Sequence, residues 1–178
     1  MTPRLETSRL VLSPYVAGFI QPEHIDWLND PEVVKYSEQR HKAHSESTQR
    51  VYLNSFNADE HIWLIQCFVS EEDETCSLKE IGTITAYVDV PNQVANMGIM
   101  IGDRSMWGKG CGREAWQAVM DWLFTQDVRK VECATMSCNS AMRNLAFKCG
   151  MRVEGIRQHH FWFDGAPMDM VSYARMRS

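Results

Sequence analysis

Long apolar segments are missing from this 178-residue sequence. No run approaches the roughly 18 residues that a membrane-spanning helix needs, and the first six residues lack the apolar stretch of a signal peptide. Positive charge is also scarce, since 18 Lys and Arg stand against 23 Asp and Glu and leave a net charge of -5. Such a chain has no broad positive field for nucleic-acid phosphates. We therefore expect a cytoplasmic protein with neither a membrane nor a nucleic-acid partner.

Metal-binding and disulfide patterns are absent as well. The cysteines form no Cys-x-x-Cys pair and have no histidines at the spacing of a zinc site. We expect no metal, and we interpret the cysteines as reduced, mostly buried thiols that act as small hydrophobic side chains. A cysteine nucleophile with His159 or His160 as its base is the alternative. The cysteines are Cys67, Cys76, Cys111, Cys133, Cys138 and Cys149.

The composition indicates one ordinary globular domain. Hydrophobic residues make up 44% of the chain and charged residues 23%, which is typical of folded domains. The length fits one domain, and no internal repeat, low-complexity tract or linker interrupts the sequence. Residues 1–178 are therefore expected to form a single domain.

Apolar periodicity predicts an α+β fold. The predicted order is a strand, two helices, three strands, a helix, a strand, a helix and two strands. The three middle strands form an antiparallel meander, so the sheet is mixed and largely antiparallel, with flanking helices. Strands are predicted over 9–14, 61–69, 80–88, 93–101, 130–137, 151–162 and 168–176, and helices over 23–29, 45–56, 112–126 and 139–149.

Some local expectations complete this outline. The helix over 45–56 is expected to bury Val51 and Leu53, and the helix over 139–149 is expected to begin at Asn139 and to end at Gly150. A turn is predicted at 71–74. The charged segment 36–42 is interpreted as a solvated loop or, alternatively, as a substrate-binding lip.

Three glycines at alternate positions carry the main chemical signal. Gly108, Gly110 and Gly112 lie between the end of a strand and an amphipathic helix. Glycine adopts positive φ angles and lets several amides converge on one anion, and the helix N-terminus adds its free amides and positive dipole end. A pyrophosphate is the expected ligand, although the spacing alone fits a connecting turn equally well. A Walker A loop needs Gly-Lys-Ser/Thr, which is absent, and a Rossmann turn needs glycine where Arg113 stands.

With its flanks, the glycine turn resembles the acetyl-CoA signature of the GNAT superfamily. Tryptophan in the first place of the turn is similar to the branch that acetylates ribosomal-protein N-termini (RimJ/RimL-like). The resemblance covers essentially the whole chain. It rests on Glu6-Thr7-Ser8-Arg9-Leu10, on Ile101-Gly102-Asp103 through Trp107-Gly108-Lys109-Gly110-Cys111-Gly112-Arg113-Glu114-Ala115, and on Asn139-Ser140-Ala141-Met142-Arg143-Asn144-Leu145-Ala146-Phe147-Lys148-Cys149-Gly150-Met151.

The resemblance implies acetyl-CoA as cofactor and acetyl donor. It also implies a sheet that is splayed open in the middle, where the pantetheine arm lies between two central strands and bonds to backbone near Ile99 and Ile101. Asn139 would reach the pantetheine arm, and Arg143 would meet the outer phosphates. The residues expected to bind the cofactor are Ile99, Ile101, Trp107, Gly108, Lys109, Gly110, Cys111, Gly112, Arg113, Asn139 and Arg143.

The implied reaction is direct attack of an amine on the thioester in a ternary complex, without an acyl-enzyme. The acceptor stays open between a protein N-terminus, an amino sugar, a polyamine and a small amine. Acceptor loops such as 36–44 and 159–167 vary freely on this kind of scaffold. A homodimer is the candidate assembly.

Two departures from the family pattern affect proton transfer. Asn96 stands where relatives often carry glutamate, and Met142 stands where they often carry serine. The attacking amine must still lose a proton, so the catalytic candidates are Asn139, Glu154 and His159. Since neighbouring strand residues face opposite sides, only one of His159 and His160 is expected to face the site.

The same departures motivate a hypothesis from a different class, a CoA-binding sensor or scaffold without efficient turnover. Tight acetyl-CoA binding without CoA release would favour it. A nicotinamide-dependent oxidoreductase is the third hypothesis, and it would require saturable NAD binding.

Overall fold

The computed structural model describes residues 1–70 and 76–177 of the chain. Within them, the predicted order of elements is confirmed, with one short strand added at the start. The strands are β1 (Leu5–Glu6), β2 (Leu10–Pro14), β3 (Glu60–Ser70), β4 (Cys76–Asp89), β5 (Val94–Ile101), β6 (Lys130–Met136), β7 (Arg152–Phe163) and β8 (Ala166–Met176). The helices are α1 (Pro22–Asn29), α2 (Glu46–Asn54), α3 (Cys111–Thr125) and α4 (Ser140–Lys148). The predicted turn at 71–74 lies outside the described residues.

All eight strands belong to one sheet in the order β1-β2-β3-β4-β5-β6-β8-β7. Neighbouring strands are antiparallel except β5 and β6, which run parallel. A parallel pair needs a crossover connection, and α3 supplies it. The mixed, largely antiparallel α+β fold is therefore confirmed, including the meander of β3, β4 and β5.

The sheet carries a different core on each face. Along β3, Trp63 and Ile65 are fully buried in the cluster that contains α3 and α4, on what we call the α3 face. The alternate residues Ile62 and Leu64 pack in a second cluster with Leu53 of α2, on what we call the α2 face. Strand β3 is thus buried on both faces, as its near-continuous apolar run predicts.

Helix α4 begins and ends as the sequence predicts. The side-chain oxygen Oδ1 of Asn139 accepts the amide of Met142 at 3.2 Å, which is an N-cap bond. Gly150 follows the helix with a φ of 74°, in the left-handed region that favours glycine. No helix in the described ranges is long and apolar enough to cross a membrane.

Helix α2 confirms one predicted contact and corrects another. Ser45 and Thr48 form a reciprocal capping box at its start, and Leu53 is buried as expected. The predicted burial of Val51 is wrong, since 71% of this residue is exposed. Residues two apart lie on opposite sides of a helix, so one α2 face cannot bury both.

The segment between α1 and α2 is more ordered than its charge pattern indicates. A 3-10 helix spans Glu38–His41, and the side chain of Ser37 caps it by accepting the amide of Gln39. The interpretation of 36–42 as a loop is therefore wrong at Glu38–His41, although Glu38, His41 and Lys42 are exposed.

Candidate functional site

The parallel strands β5 and β6 separate soon after they meet. They pair at three positions, the last of which joins Asn96 to Glu132. Strand β5 runs on to Ile101 and β6 to Met136, and beyond Asn96 no pair joins them in the part of the chain that the structure describes. The sheet is splayed at its centre, as the family resemblance implies.

The backbone of β5 directs polar groups into this gap. Gly102, just past β5, donates its amide to the carbonyl of Ile81 beside it at 2.9 Å. In an antiparallel ladder the bonded direction alternates, so Ile99 and Ile101 turn their amides and carbonyls away from β4, toward β6. The carbonyl of Ile101 accepts the indole Nε1 of Trp107 at 2.7 Å. Trp107 therefore closes one end of the gap, and Ile99 offers backbone groups inside it.

Two positive φ angles shape the glycine turn. Gly108 has a φ of 73° and Gly110 a φ of 86°, and both values favour glycine. Gly110 is the N-cap of the 15-residue helix α3, so Cys111, Gly112 and Arg113 form its first turn. Among the described residues these three amides have no hydrogen-bond acceptor. Together with the positive end of the helix they form an anion site.

The side chains of the turn divide between core and solvent. Cys111 is 3% exposed and belongs to the core of the α3 face, so it offers its amide rather than its thiol. Lys109 and Arg113 are exposed. A methyl group on Gly112 would lie 3.5 Å from Cδ1 of Leu145 and 3.6 Å from Ile101. Gly112 therefore sits where α3, α4 and β5 meet beside the gap.

Asn139 borders the gap from α4. Its Nδ2 donates to Oγ1 of Thr135 at 2.9 Å while its Oδ1 caps the helix. Thr135 lies on β6, beyond the last residue that pairs with β5. Both ends of the amide group are thus held within the protein, which fixes its orientation beside the gap.

Arg143 lies one turn after Asn139 on α4, and two hydrogen bonds hold its side chain. Its Nε donates to the hydroxyl of Tyr173 at 3.2 Å and its Nη1 to the carbonyl of Ser137 at 2.8 Å. Leu145 is the α4 residue nearest Gly112, and residues 143 and 145 project in opposite directions from a helix. The structure does not bring Arg143 to the glycine turn.

Glu154 is held in an ion-pair network. Lys130 Nζ lies 2.5 Å from Oε1 of Glu154 and 3.1 Å from Oε2 of Glu132. The hydrogen bond to Glu154 raises the pKa of Lys130. Glu132 pairs with Asn96, and Asn96 pairs with Tyr87, whose hydroxyl lies 2.7 Å from that of Tyr52 on α2. Asn96 and this network therefore share the α2 face.

A bulge in β7 overturns the alternation argument for the histidines. Arg157 and Phe161 pair with residues 170 and 168 of β8, so three residues of β7 oppose Asp169 alone. His159 has a φ of 52°, and its amide donates to Oδ1 of Asp169 at 2.8 Å. The bulge removes the alternation on which this argument rests, so the expectation that only one histidine faces the site stays a prediction. Both histidines are exposed.

Four of the five cysteines whose side chains the structure describes are buried, and Cys138 is exposed. Burial raises the pKa of Cys133 to about 12 and also raises the pKa of Cys67 and of Cys149. A buried thiol of raised pKa is a poor nucleophile at neutral pH. In residues 1–70 and 76–177, no group of three His, Cys, Asp or Glu side chains is placed to hold a metal ion.

Sequence reasoning missed one interaction at the turn. Oε2 of Glu114 accepts Nε of Arg9 at 2.7 Å and lies 2.6 Å from its Nη2. Burial alone would raise the pKa of Glu114, but hydrogen bonds from Thr7 and Arg9 and the charge of Arg9 lower it. Both residues stand inside the blocks that carry the family resemblance. The sequence signal that could have revealed this interaction is Glu114 itself, an acidic residue in the first turn of a helix that is expected to bind an anion.

A sheet splayed between two parallel strands, with a glycine turn and a helix N-terminus at the end of the gap, defines an acyltransferase of the acyl-CoA N-acyltransferase fold. The model of the GNAT acetyltransferase domain matches residues 9–152. The chain belongs to this family of acetyltransferases, and the resemblance seen in the sequence is confirmed.

Solved structures share the fold at low identity. One is RimL, a ribosomal L7/L12 alpha-N-protein acetyltransferase in complex with coenzyme A, with a TM-score of 0.82, 17% identity and 98% coverage of each chain. Another is a chimera of the spermidine N-acetyltransferase SpeG from Vibrio cholerae and hSSAT, with a TM-score of 0.75, 18% identity and coverage of 95% of this chain and 96% of that chain. A third is the ribosomal-protein-S5-alanine acetyltransferase from Vibrio fischeri, with a TM-score of 0.74, 16% identity and coverage of 98% of this chain and 96% of that chain. No curated protein matches the sequence.

Proposed function

We propose that this chain transfers the acetyl group of acetyl-CoA to a primary amine by direct attack in a ternary complex. One observation carries the proposal: the gap between β5 and β6 leads from the backbone of Ile99 to the free amides at the start of α3. CoA matches this shape, because it joins an amide-containing arm to a pyrophosphate. The residues that would hold it are Ile99, Ile101, Trp107, Gly108, Lys109, Gly110, Cys111, Gly112, Arg113 and Asn139.

The expected contact of Arg143 with the outer phosphates stays a prediction. Its two hydrogen bonds to Tyr173 and Ser137 would have to open before the guanidinium turned toward the glycine turn. The proposal for donor binding therefore rests on the turn and the gap, and not on this side chain.

In the proposed reaction the amine nitrogen attacks the carbonyl carbon of the thioester. A C–N bond forms, the C–S bond breaks, and the sulfur leaves with its electron pair while the nitrogen loses a proton. Asn139 is proposed to orient the reacting end, because its amide group is fixed beside the gap. Glu154 and His159 are the proposed proton carriers, and Asn96, which has no titratable group, is proposed to orient a water.

The acceptor is proposed to approach from the α2 face, which carries Asn96 and the ion pair of Lys130 with Glu154. The loops 36–44 and 159–167 are its proposed binding segments. RimL and the SpeG chimera share this fold while their names refer to a ribosomal protein and to spermidine. A protein N-terminus, an amino sugar, a polyamine and a small amine are accordingly all candidates.

Calorimetry with acetyl-CoA and an amine panel scored by CoA release test the proposal. A matched pair of variants locates the donor site: Gly108→Ala and Gly165→Ala place a methyl group on glycines with φ of 73° and 77° and with no atom within 4 Å of that group. We expect only Gly108→Ala to weaken acetyl-CoA binding. No binding by the wild type, together with no CoA release for any amine, would sink the proposal.

A CoA-binding sensor or scaffold is the second candidate function. It is favoured by Asn96 in place of a carboxylate and by the ion pair that holds Glu154. Tight acetyl-CoA binding without CoA release across the panel would establish this alternative.

A homodimer is proposed as the assembly. Strand β7 is at the edge of the sheet and exposes apolar residues, with 58% of Val153, 59% of Ile156 and 69% of Trp162 accessible. An exposed apolar edge strand is a natural pairing surface. Sedimentation equilibrium of the wild type and of Ile156→Lys measures whether β7 holds two copies together.

The chain is further proposed to act as one domain over residues 1–178 and to work in the cytoplasm. All eight described strands share one sheet, which supports the first point. The cysteines whose side chains are described are unpaired, which suits a reducing compartment. Limited proteolysis and cell fractionation are the direct measurements.

A further inference from the structure

We infer that Arg9 and Glu114 form a clamp that holds the glycine turn in the shape that binds a pyrophosphate. The inference rests on the proposed function and deepens it, since it assigns a positioning role to two side chains that need not touch the reacting atoms. We call this pair the Arg9–Glu114 clamp.

Hydrogen bonds to Glu114 link the β1–β2 turn to the start of α3. Its Oε1 accepts Oγ1 of Thr7 at 2.6 Å, Oγ of Ser8 at 3.2 Å and the amide of Arg9 at 3.0 Å. Its Oε2 accepts Nε of the Arg9 guanidinium and also lies close to Nη2. The carboxylate side chain is only 18% exposed. Charge-assisted bonds of this kind are the strong ones.

Arg9 extends the clamp to the turn itself. Its Nη1 donates to the carbonyl of Lys109 at 3.0 Å, and its Nη2 would lie 3.4 Å from a methyl group placed on Gly110. The peptide unit is planar and trans, so a carbonyl and the amide that follows it point in opposite directions. By holding the Lys109 carbonyl, Arg9 fixes the direction of the Gly110 amide on the opposite side of the peptide plane.

Charge alone and the clamp predict opposite effects for one variant. Glu114 lies in the first turn of α3, where its carboxylate repels any anion bound at the helix N-terminus. Removal of this negative charge in Glu114→Gln should strengthen pyrophosphate binding if only charge matters. The clamp predicts weaker binding, because Arg9 loses the partner that holds it over Lys109.

The experiment measures binding of acetyl-CoA and of S-acetylpantetheine, which lacks the pyrophosphate and the nucleotide, by calorimetry and by competition. The variants are Glu114→Gln, Arg9→Gln, Arg9→Lys and the double variant of both glutamines. The matched control is Glu46→Gln, which breaks a similar first-turn ion pair with Arg50 on α2. The Arg9 side chain is 52% exposed, so its substitution leaves the core intact, and melting temperatures check each variant.

We expect Glu114→Gln and Arg9→Gln each to weaken acetyl-CoA binding about tenfold, the scale of one charge-assisted hydrogen bond. The double variant should lose little more acetyl-CoA affinity than either single variant. Arg9→Lys should lose less acetyl-CoA affinity than Arg9→Gln. The affinity for S-acetylpantetheine should stay within about twofold of wild type. The control should bind as wild type does.

Wild-type or tighter acetyl-CoA binding by Glu114→Gln would overturn the clamp while leaving the proposed function standing. Equal losses for both ligands would also overturn it, since they indicate general destabilisation rather than an effect at the pyrophosphate. Equal affinities of the wild-type protein for S-acetylpantetheine and for acetyl-CoA would also overturn the clamp. A wild-type protein that neither binds acetyl-CoA nor releases CoA with any amine would remove the proposed function and the clamp together, and only this result does so.

Discussion

The rings of Tyr36 and Phe163 lie 5.6 Å apart between centroids, tilted by 36°. Tyr36 precedes the 3-10 helix between α1 and α2, and Phe163 ends β7 at the hairpin with β8. The two segments proposed to bind the acceptor therefore touch each other through this aromatic pair.

Phe163→Ala tests this contact. An aromatic pair contributes about 0.5–1.5 kcal/mol beyond its buried area, so we expect the KM for the acceptor amine to rise about two- to tenfold while acetyl-CoA affinity is unchanged. Steady-state kinetics with an amine found in the panel measure both. Phe19→Ala is the control, because Phe19 is 69% exposed and lies outside both segments. An unchanged KM in Phe163→Ala would contradict the prediction.

Two variants distinguish the role of Asn139 as a helix cap from its role beside the gap. Asn139→Ala removes the bonds to Met142 and Thr135 and should lower the free energy of unfolding by about 1 kcal/mol. Asn139→Ser keeps a good cap but replaces the amide group at the gap. We expect Asn139→Ser to unfold near the wild-type temperature and to release CoA more slowly in single turnovers. Wild-type turnover in Asn139→Ser would show that the residue is only a cap.

His24 makes stability depend on pH. The residue is 2% exposed, and burial, helped by the charge of His44, lowers its pKa from 6.5 to about 4. Between these values the unfolded chain binds the proton and the folded chain does not, so stability is full above pH 6.5 and falls as the pH drops toward 4. The loss approaches about 3 kcal/mol.

Denaturant unfolding at several pH values measures this loss. His24→Phe should reduce the slope of the profile between pH 4 and 6.5, and the remaining slope includes His61, whose pKa burial also lowers. The exposed His41→Phe should leave the slope as in the wild type. A wild-type slope in His24→Phe would assign the pH dependence to other groups.

Gly112→Ala should separate folding from donor binding. The added methyl group meets Leu145, Ile101 and Ile99 at 3.5–3.7 Å, which is ordinary contact, and alanine suits a helix better than glycine by up to about 1 kcal/mol. We expect unchanged or higher stability and at least about tenfold weaker acetyl-CoA binding, since the methyl group occupies space beside the gap. Gly18→Ala, with nothing within 4 Å, is the control. Wild-type affinity in Gly112→Ala would contradict the prediction that this methyl group obstructs the donor.

Glu154→Gln tests the proposed proton carrier on the α2 face. General acid–base groups contribute about 10²–10⁴-fold, and we expect kcat to fall about 100-fold with acetyl-CoA affinity retained. Glu132→Gln, which removes the other carboxylate near Lys130, is the control. Equal effects of the two variants would indicate that the ion pair, rather than a proton at Glu154, matters.

The sequence predicts well those features whose causes are local. The cap at Asn139 and the terminator at Gly150 follow from neighbouring residues, and the two-sided burial of β3 follows from its apolar run. The glycine turn also appears where its spacing and flanking elements indicate.

Features that depend on distant partners are beyond such reasoning. The bulge at His159 forms against Asp169 on another strand. The Arg9–Glu114 pair joins residues that are 105 positions apart in the sequence. Periodicity gives no sign that β5 and β6 part after Asn96; only the family resemblance implies it. Val51 shows that apolar character alone does not reveal which side of a short helix is buried.

The splay between β5 and β6 has a consequence for colloidal behaviour. A strand edge that faces solvent is a template onto which other chains add, and fibrils grow in this way. Here the two unpaired edges of β5 and β6 face each other inside one sheet and converge at Asn96. A strand from another chain that enters the gap is enclosed between them, so it leaves no open edge to which a further chain can add. The gap thereby keeps unpaired backbone available for a small guest without itself offering a surface that propagates aggregation.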